Sequence, residues 1–431
     1  MQLHNIIKPV IFLEGDILLM TDMIFASKNG RNIPLEDKIF GISNRAKAMI
    51  EKEGKDKVVN ATIGALLDDE GKVIVLSSVD DVFKSLTPDE YAQYAPIGGT
   101  PDFKEAVKKD VFRNYVPTRF VEAVATPGGT GAIRNTISNY SNYGDKILTT
   151  DWFWAPYNTI AQEVGRSLTT FELFNEKGGF NCESFKTKVE DLLEVQEALV
   201  IILNTPSHNP TGYALSKEEW DEVVEILNNT SREKKVTLLV DAAYADFAGE
   251  ENESRNFFPM LEKLEDHVLP VIAHSLSKSY TLYGLRGGAM LCMAKTKEVA
   301  EEFKRVCEFS ARASWSNCPR AVQVILSKIY ADEQLLAKVM EERKGHRDML
   351  IRRGVAFMEE AEKIGLETVP FRSGFFMTIP CAKPEAVAAK LEEEGIFTVP
   401  LAKGIRVSGA SISEEVCRRL PKAIKNAIET V

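Results

Sequence analysis

The sequence predicts an α/β protein built as a large domain with a second, smaller one. Two observations carry this. Short apolar runs in the middle of the chain, EALVIIL (197–203), VTLLVDAA (236–243) and LPVIAHS (269–275), lack polar alternation, as expected of strands buried on both faces of a mostly parallel sheet. Between the first two lies SKEEWDEVVEILNN (216–229), whose apolar spacing fits a covering helix. A length of 431 residues suits two domains or one large α/β unit.

Taken in order, the chain opens on its most lipid-like stretch, residues 6–25. Lys8, Glu14, Asp16 and Asp22 interrupt it short of the roughly 20 apolar residues a spanning helix needs. It lacks a signal-peptide cleavage site, so a cytoplasmic protein with no membrane partner is expected. Residues 332–363 read as one long charged helix, followed by short strands in FFMTIP, IFTVPL and GIRVSG. In the last segment, SISEEVCRRLPKAIKNAIETV, Ser411 and Glu414 form a capping-box pattern, and Val416, Leu420, Ile424 and Ile428 recur every four residues, with Pro421 as an interruption. The expected division is an N-terminal arm with part of the small domain (1–75), a large domain (76–335) and a small C-terminal domain (336–431).

Composition narrows the function. Apolar residues at 44% and charged residues at 27% are ordinary for a globular protein. A net charge of −10 argues against nucleic acid as a partner, because phosphate neutralisation needs clustered Lys and Arg. Six scattered cysteines form no CxxC pair and five histidines no HxxxH or HExxH spacing, so neither a metal site nor a disulfide framework is expected.

Four stretches carry candidate chemistry. TPGGTGAIRNTISNY (126–140) is a glycine-rich turn before a helical pattern, where outward N–H groups suit a phosphate. A tight structural turn remains open, as does a dinucleotide site with Asp151 as its acidic ribose ligand. SHNPTGYALS (207–216) follows a strand and can hold the Asn209 amide toward a cleft, or use it only to form a turn. Asp241 ends another strand, as a catalytic acid or a helix cap, with Tyr244 three residues on. HSLSKSYTLYGLRGG (274–288) sets Lys278 among serines, with Arg286 eight positions further on.

In this order these motifs resemble the fold-type I pyridoxal 5'-phosphate (PLP) enzymes, specifically the class I/II aminotransferases. The resemblance implies a mostly parallel seven-stranded sheet sandwiched by helices in the large domain, plus a smaller α/β domain. It makes Lys278 the Schiff-base lysine and places Ser275, Ser277, Arg286, Gly129 and Thr130 around the cofactor phosphate. Asn209 and Tyr244 would hydrogen-bond its phenolic oxygen, and Asp241 would hold its ring nitrogen protonated, so that the ring acts as an electron sink. Trp154 of DWFWAPYN matches the ring-stacking position, with Trp152 as the alternative. Tyr94 of YAPIGGTPDF would reach the phosphate in a neighbouring subunit, which implies a homodimer with shared active sites.

The resemblance extends to the substrate. Arg406 of KGIRVSGA occupies the place of the α-carboxylate arginine, and Gly64 would approach the same carboxylate through its backbone. Arg312 of SARASWSNCP matches an arginine that crosses the dimer to a side-chain carboxylate in the aspartate and aromatic subgroup. Guanidinium suits this work because it pairs with carboxylate in a fixed fork. The chain departs from the subgroup at three places: Tyr157 stands for a histidine behind Asp241, Gly128 for a serine in the phosphate turn, and Asn204 for a second histidine. The implied reaction is transamination between an L-amino acid (aspartate, glutamate or aromatic) and a 2-oxo acid such as 2-oxoglutarate. A β-decarboxylase, C–S lyase or synthase would share every cofactor motif, and a nicotinamide oxidoreductase ranks behind them.

Overall fold

The computed structural model describes residues 25–431. Of the lipid-like stretch only Phe25 falls within it; residues 6–24, and the part of the expected N-terminal arm before residue 25, lie outside the described residues.

Seven strands form the large sheet: β1 (Phe120–Pro127), β2 (Lys146–Thr150), β3 (Ser167–Phe171), β4 (Ala198–Asn204), β5 (Lys235–Asp241), β6 (Val268–Ser275) and β7 (Gly287–Ala294). Their spatial order is β1-β7-β6-β5-β4-β2-β3. Strand β7 runs antiparallel to both β1 and β6, and all other neighbours are parallel. The unbroken apolar runs have the predicted cause. In β4, Leu199, Ile201 and Leu203 enter one core cluster while Val200 and Ile202 enter another, on the opposite face. Helices cover both faces: Trp220 and Val223, from the Lys217–Asn228 helix, join the first cluster, and Ile133 and Ile137, from the Gly128–Tyr140 helix, join the second.

A smaller antiparallel sheet follows in the chain, with β8 (Phe376–Pro380), β9 (Val399–Pro400) and β10 (Gly404–Ser408) in the order β9-β10-β8. Its core joins Ile379, Val407 and Ile424 to Phe357 of the long Glu333–Lys363 helix. The N-terminal region packs here too: Val59–Asn60 pairs in parallel with Ile396–Phe397, and Arg45, on the Lys38–Glu53 helix, makes a two-pronged contact of 2.8 Å with Glu392.

Three local expectations change. The last helix, Glu414–Thr430, is capped by Ser413, whose hydroxyl accepts from the Val416 N–H. Ser411 belongs instead to the preceding Gly409–Ser411 turn, one turn short of the helix start, where its hydroxyl donates to the Asn60 and Ser408 carbonyls. Pro421 lies inside that helix without ending it, at the cost of one backbone bond. Finally, the glycines of TPGGTGA do not precede a helix but form its first turn, which starts at Gly128.

Candidate active site

The parallel strands β4 and β5 end in register, with Asn204 opposite Asp241, and β6 places Ala273 opposite Asp241 and runs two residues further, to Ser275. Ligand sites in open α/β sheets collect at this carboxyl edge. Here a cavity of about 630 Å³ opens between that edge and the small sheet. Every site residue expected from sequence except Tyr94 and Arg312 lines it: Gly64, Gly129, Thr130, Trp154, Asn209, Asp241, Tyr244, Ser275, Ser277, Lys278, Arg286 and Arg406. Trp154 lines the cavity, whereas Trp152 is buried in the core.

Lys278 follows β6 in the short Leu276–Ser279 helix. Its Nζ donates to the Gly64 carbonyl at 2.6 Å and lies 5.0 Å from the Tyr283 ring centroid and 5.5 Å from that of Tyr244. Burial, assisted by the Arg286 and Arg406 guanidiniums, brings its ammonium down to about 7, while the Asp241 carboxylate opposes them. An amine in such a place is a nucleophile and a proton acceptor near neutral pH.

Asp241 is held from three sides. The Tyr157 hydroxyl donates to its Oδ2 at 2.5 Å, the Ala243 N–H donates to Oδ1 at 3.3 Å, and Asn204 Nδ2 donates to its carbonyl at 2.7 Å. Burial raises the carboxyl above its usual range, and the Tyr157 bond and Lys278 pull it back. Asn204 Oδ1 also accepts from the Asn209 N–H at 2.6 Å, so one amide links Asp241 to Asn209. The Asn209 side chain in turn bonds Tyr244.

Arg286 sits at a left-handed φ of 53° and donates from Nη1 to Ser277 Oγ at 3.0 Å. It faces the first turn of the Gly128–Tyr140 helix. A Cβ on Gly128, whose φ is 71°, would lie 2.9 Å from Arg286 Nη2. Asp151, the ribose ligand of the dinucleotide reading, points elsewhere: Oδ1 accepts from the Leu173 N–H at 2.9 Å and Oδ2 pairs with Lys403 at 2.5 Å.

Arg406, on β10, is buried above the Phe376 ring, 4.4 Å from its centroid. It donates to Asn209 Oδ1 at 3.1 Å and to the Thr62 carbonyl at 2.8 Å, and its Nε is buried with no partner. Burial brings it down to about 10.

Tyr94 and Arg312 share a different place, an open depression of about 830 Å³. Tyr94 is 88% exposed, and the Asn317 amide ties its loop to the end of the Lys297–Ser314 helix by donating to the Ala95 carbonyl at 2.7 Å. Arg312, exposed on that helix, donates to Ser316 Oγ at 2.6 Å. Sequence reasoning missed Tyr283 and Phe376. Tyr283 lines the cavity and its hydroxyl accepts from the Leu66 N–H at 2.9 Å; its place just after Lys278 was the available signal. Phe376 gave none, since it reads as an ordinary apolar strand residue.

One cavity thus brings together a buried amine, a carboxylate, an arginine beside a glycine turn and a second buried arginine, a set suited to an anionic ligand. Residues 56–424 match the model of the family "Aminotransferase class I and II". The chain therefore belongs to the class I and II aminotransferases, which are PLP-dependent, and it catalyses transamination. A solved aminotransferase from Anaerococcus prevotii is 39% identical, with a TM-score of 0.91 over 94% of this chain and 100% of that one. The mitochondrial aspartate aminotransferase of Gallus gallus is 25% identical over 402 residues, 90% of this chain and 91% of the relative. The cytoplasmic aspartate aminotransferase of Saccharomyces cerevisiae shares the fold, at 21% identity and a TM-score of 0.77, covering 94% of this chain and 98% of that one.

Among the described residues no helix is long and apolar enough to cross a membrane, and no group of three His, Cys, Asp or Glu side chains could hold a metal ion.

Proposed function

We propose that this chain transfers the amino group of aspartate, glutamate or an aromatic amino acid to a 2-oxo acid such as 2-oxoglutarate, using Lys278 as its catalytic amine. The observation that carries the reading is the Lys278 amine itself. It is buried, lowered to about 7, and confronted across one cavity by Asp241, Arg286 and Arg406.

The residues fit PLP. Arg286 Nη2 faces a spot that only a glycine at 128 leaves open, beside helix N–H groups, which suits a phosphate. Ser275, Ser277, Gly129 and Thr130 would complete that cradle. Asp241 would keep a proton on the ring nitrogen, Asn209 and Tyr244 would donate to the phenolic oxygen, and Trp154 would cover the ring. Arg406, with one guanidinium N–H unpaired in a buried place, suits the substrate's α-carboxylate, and Gly64 would approach that carboxylate through its backbone.

When bound, PLP supplies an electron sink that stabilises negative charge at the α-carbon. Lys278 Nζ would hold the cofactor and, once freed by the incoming amino acid, would as a neutral amine take the substrate's α-proton and carry it. Arg406 would fix the substrate's orientation, and Asp241 would favour the charged form of the ring nitrogen.

Tyr94 and Arg312 lie outside this chain's own cavity, so their roles require a second copy. The reading is a homodimer in which the partner's Tyr94 meets the phosphate and the partner's Arg312 meets a substrate side-chain carboxylate. The shared exposed depression that holds both residues supports this. The proposed division is an N-terminal part at 1–75, a large domain at 76–335 and a small domain at 336–431; the separate core clusters of the two sheets favour it. A cytoplasmic location completes the reading. The deciding experiment is a half-reaction screen that follows the cofactor's visible absorption as each amino acid is added. Rapid change with aspartate, glutamate or aromatic amino acids is expected, and a response confined to other amino acids would refute the substrate reading.

A further inference from the structure

A second polar cluster lies beneath the turn that carries Lys278, and none of its side chains lines the cavity. At its centre is Asp110, wholly buried on the Pro101–Phe112 helix. Asp110 Oδ1 accepts from the Tyr280 hydroxyl at 2.7 Å and the Tyr330 hydroxyl at 2.8 Å, and Arg113 Nη2 stands 2.6 Å from it. Its Oδ2 meets His274 Nε2 at 2.7 Å. Arg113 continues to Asp246 Oδ1 at 3.3 Å, which also accepts from Arg255 Nη2 at 2.7 Å. Asp246 Oδ2 lies 3.3 Å from Arg343 Nη1, and the same Nη1 donates to the Ser279 carbonyl at 3.4 Å.

Buried ion pairs are weak contributors to stability, because desolvation offsets most of their attraction. The cluster's contacts point to a role other than stability. His274 directly precedes Ser275, Ser279 and Tyr280 directly follow the Lys278 position, and Asp246 lies two residues after Tyr244. Two strand-end segments of the active site, 274–280 at the end of β6 and 244–246 after β5, are thus fastened from below to one carboxylate pair bridged by Arg113.

We propose that Asp110 is a positioning residue for transamination: through Tyr280 and His274 it sets where the Lys278 amine and Ser275 stand, and through Arg113 and Asp246 it ties that placement to the Tyr244 turn. This rests on the reading of Lys278 as the amine that holds the cofactor. A misplacement of about 1 Å at a reacting group costs up to about a hundredfold in rate, so the cluster acts on turnover more than on affinity.

The test compares two phenols that donate to the same Asp110 oxygen. Tyr280→Phe frees the Lys278 turn, whereas Tyr330→Phe removes a donor to the same oxygen, together with the contact its hydroxyl receives from Arg113 Nη1, from a helix that carries no site residue. In holoenzyme, Tyr280→Phe is expected to lower kcat about tenfold, with KM changed less than about twofold. It is also expected to move the pH midpoint of the cofactor's visible absorption by about half a unit or more. Tyr330→Phe is expected to leave kcat within about twofold and the midpoint in place. Equal effects of the two variants, or an unchanged midpoint in Tyr280→Phe, would overturn the proposal. Should Tyr280→Phe fail to fold, Arg343→Lys, which keeps a cation by Asp246 but loses the reach to Ser279, is held to the same midpoint shift. Persistence of borohydride-reducible absorption in Lys278→Ala would instead overturn the assignment of Lys278, so the two failures are distinct.

Discussion

The Tyr157 hydroxyl donates to Asp241 Oδ2 at 2.5 Å, with Tyr157 wholly buried behind the carboxylate. That bond favours the charged form of a carboxyl which burial otherwise raises. Tyr157→Phe therefore raises the Asp241 pKa further, so the carboxylate is lost at a higher pH as the medium is acidified. The acid limb of the kcat profile is expected to move upward in pH, and kcat at neutral pH to fall about tenfold, as loss of a hydrogen bond to a buried charge implies. A pH series of single-turnover rates reads both.

Lys278 is nucleophilic only as the neutral amine. With its pKa lowered to about 7, reattachment of PLP to the cofactor-free protein should accelerate as pH rises through about 7 and level off above it. An ordinary lysine would keep accelerating toward about 10.4. Lys278→Ala should abolish turnover and leave no cofactor fixed to the chain after borohydride, as read by intact mass.

Arg406→Lys retains a cation but loses the planar fork and its free Nε–H. The expected result is a drop of about a hundredfold in kcat/KM for every amino acid tested, as loss of a paired charge–carboxylate contact implies. Steady-state kinetics across the substrate panel measures it.

Arg312→Gln should behave differently, because Arg312 is assigned to the side-chain carboxylate alone. Dicarboxylic substrates are expected to lose about tenfold or more in kcat/KM, while aromatic ones change little. Equal losses for both classes would remove Arg312 from the substrate site.

Gly128→Ala adds a methyl 2.9 Å from Arg286 Nη2 at a φ of 71°. Strain of about 1–3 kcal/mol is expected at such a position. Arg286 must also shift, so the variant should melt lower and release PLP faster, with both followed in one thermal scan by visible absorption.

How much of this was visible in the sequence depends on what each residue's neighbours are. The unbroken apolar runs of β4 and β5 announced a sheet buried on both faces, since only such strands can dispense with polar alternation. Lys278, Arg286, Asp241 and Asn209 stand in short motifs beside strand ends, and it is the resemblance of those motifs to a known family that singled them out; the structure brings all four to one cavity. The cap of the last helix was misread because Ser411 and Ser413 compete for it. The Gly409–Ser411 turn, after which the helix starts only at Glu414, decided the matter, and Ser411 in that turn bonds Asn60, far away in the chain.

The amino-acid sequence by itself determined the α/β class, because that rests on local periodicity, and it carried in order along the chain the motifs whose resemblance to the class I/II aminotransferases implies the cofactor. Only the tertiary structure decided that Trp154 rather than Trp152 lines the cavity, that Tyr283 and Phe376 belong to the site, and that Asp110 lies under Lys278. Those relations join residues remote in sequence, and the packing and burial that create them, including the lowered pKa of Lys278, exist only once the chain has excluded water from the sheet's edge.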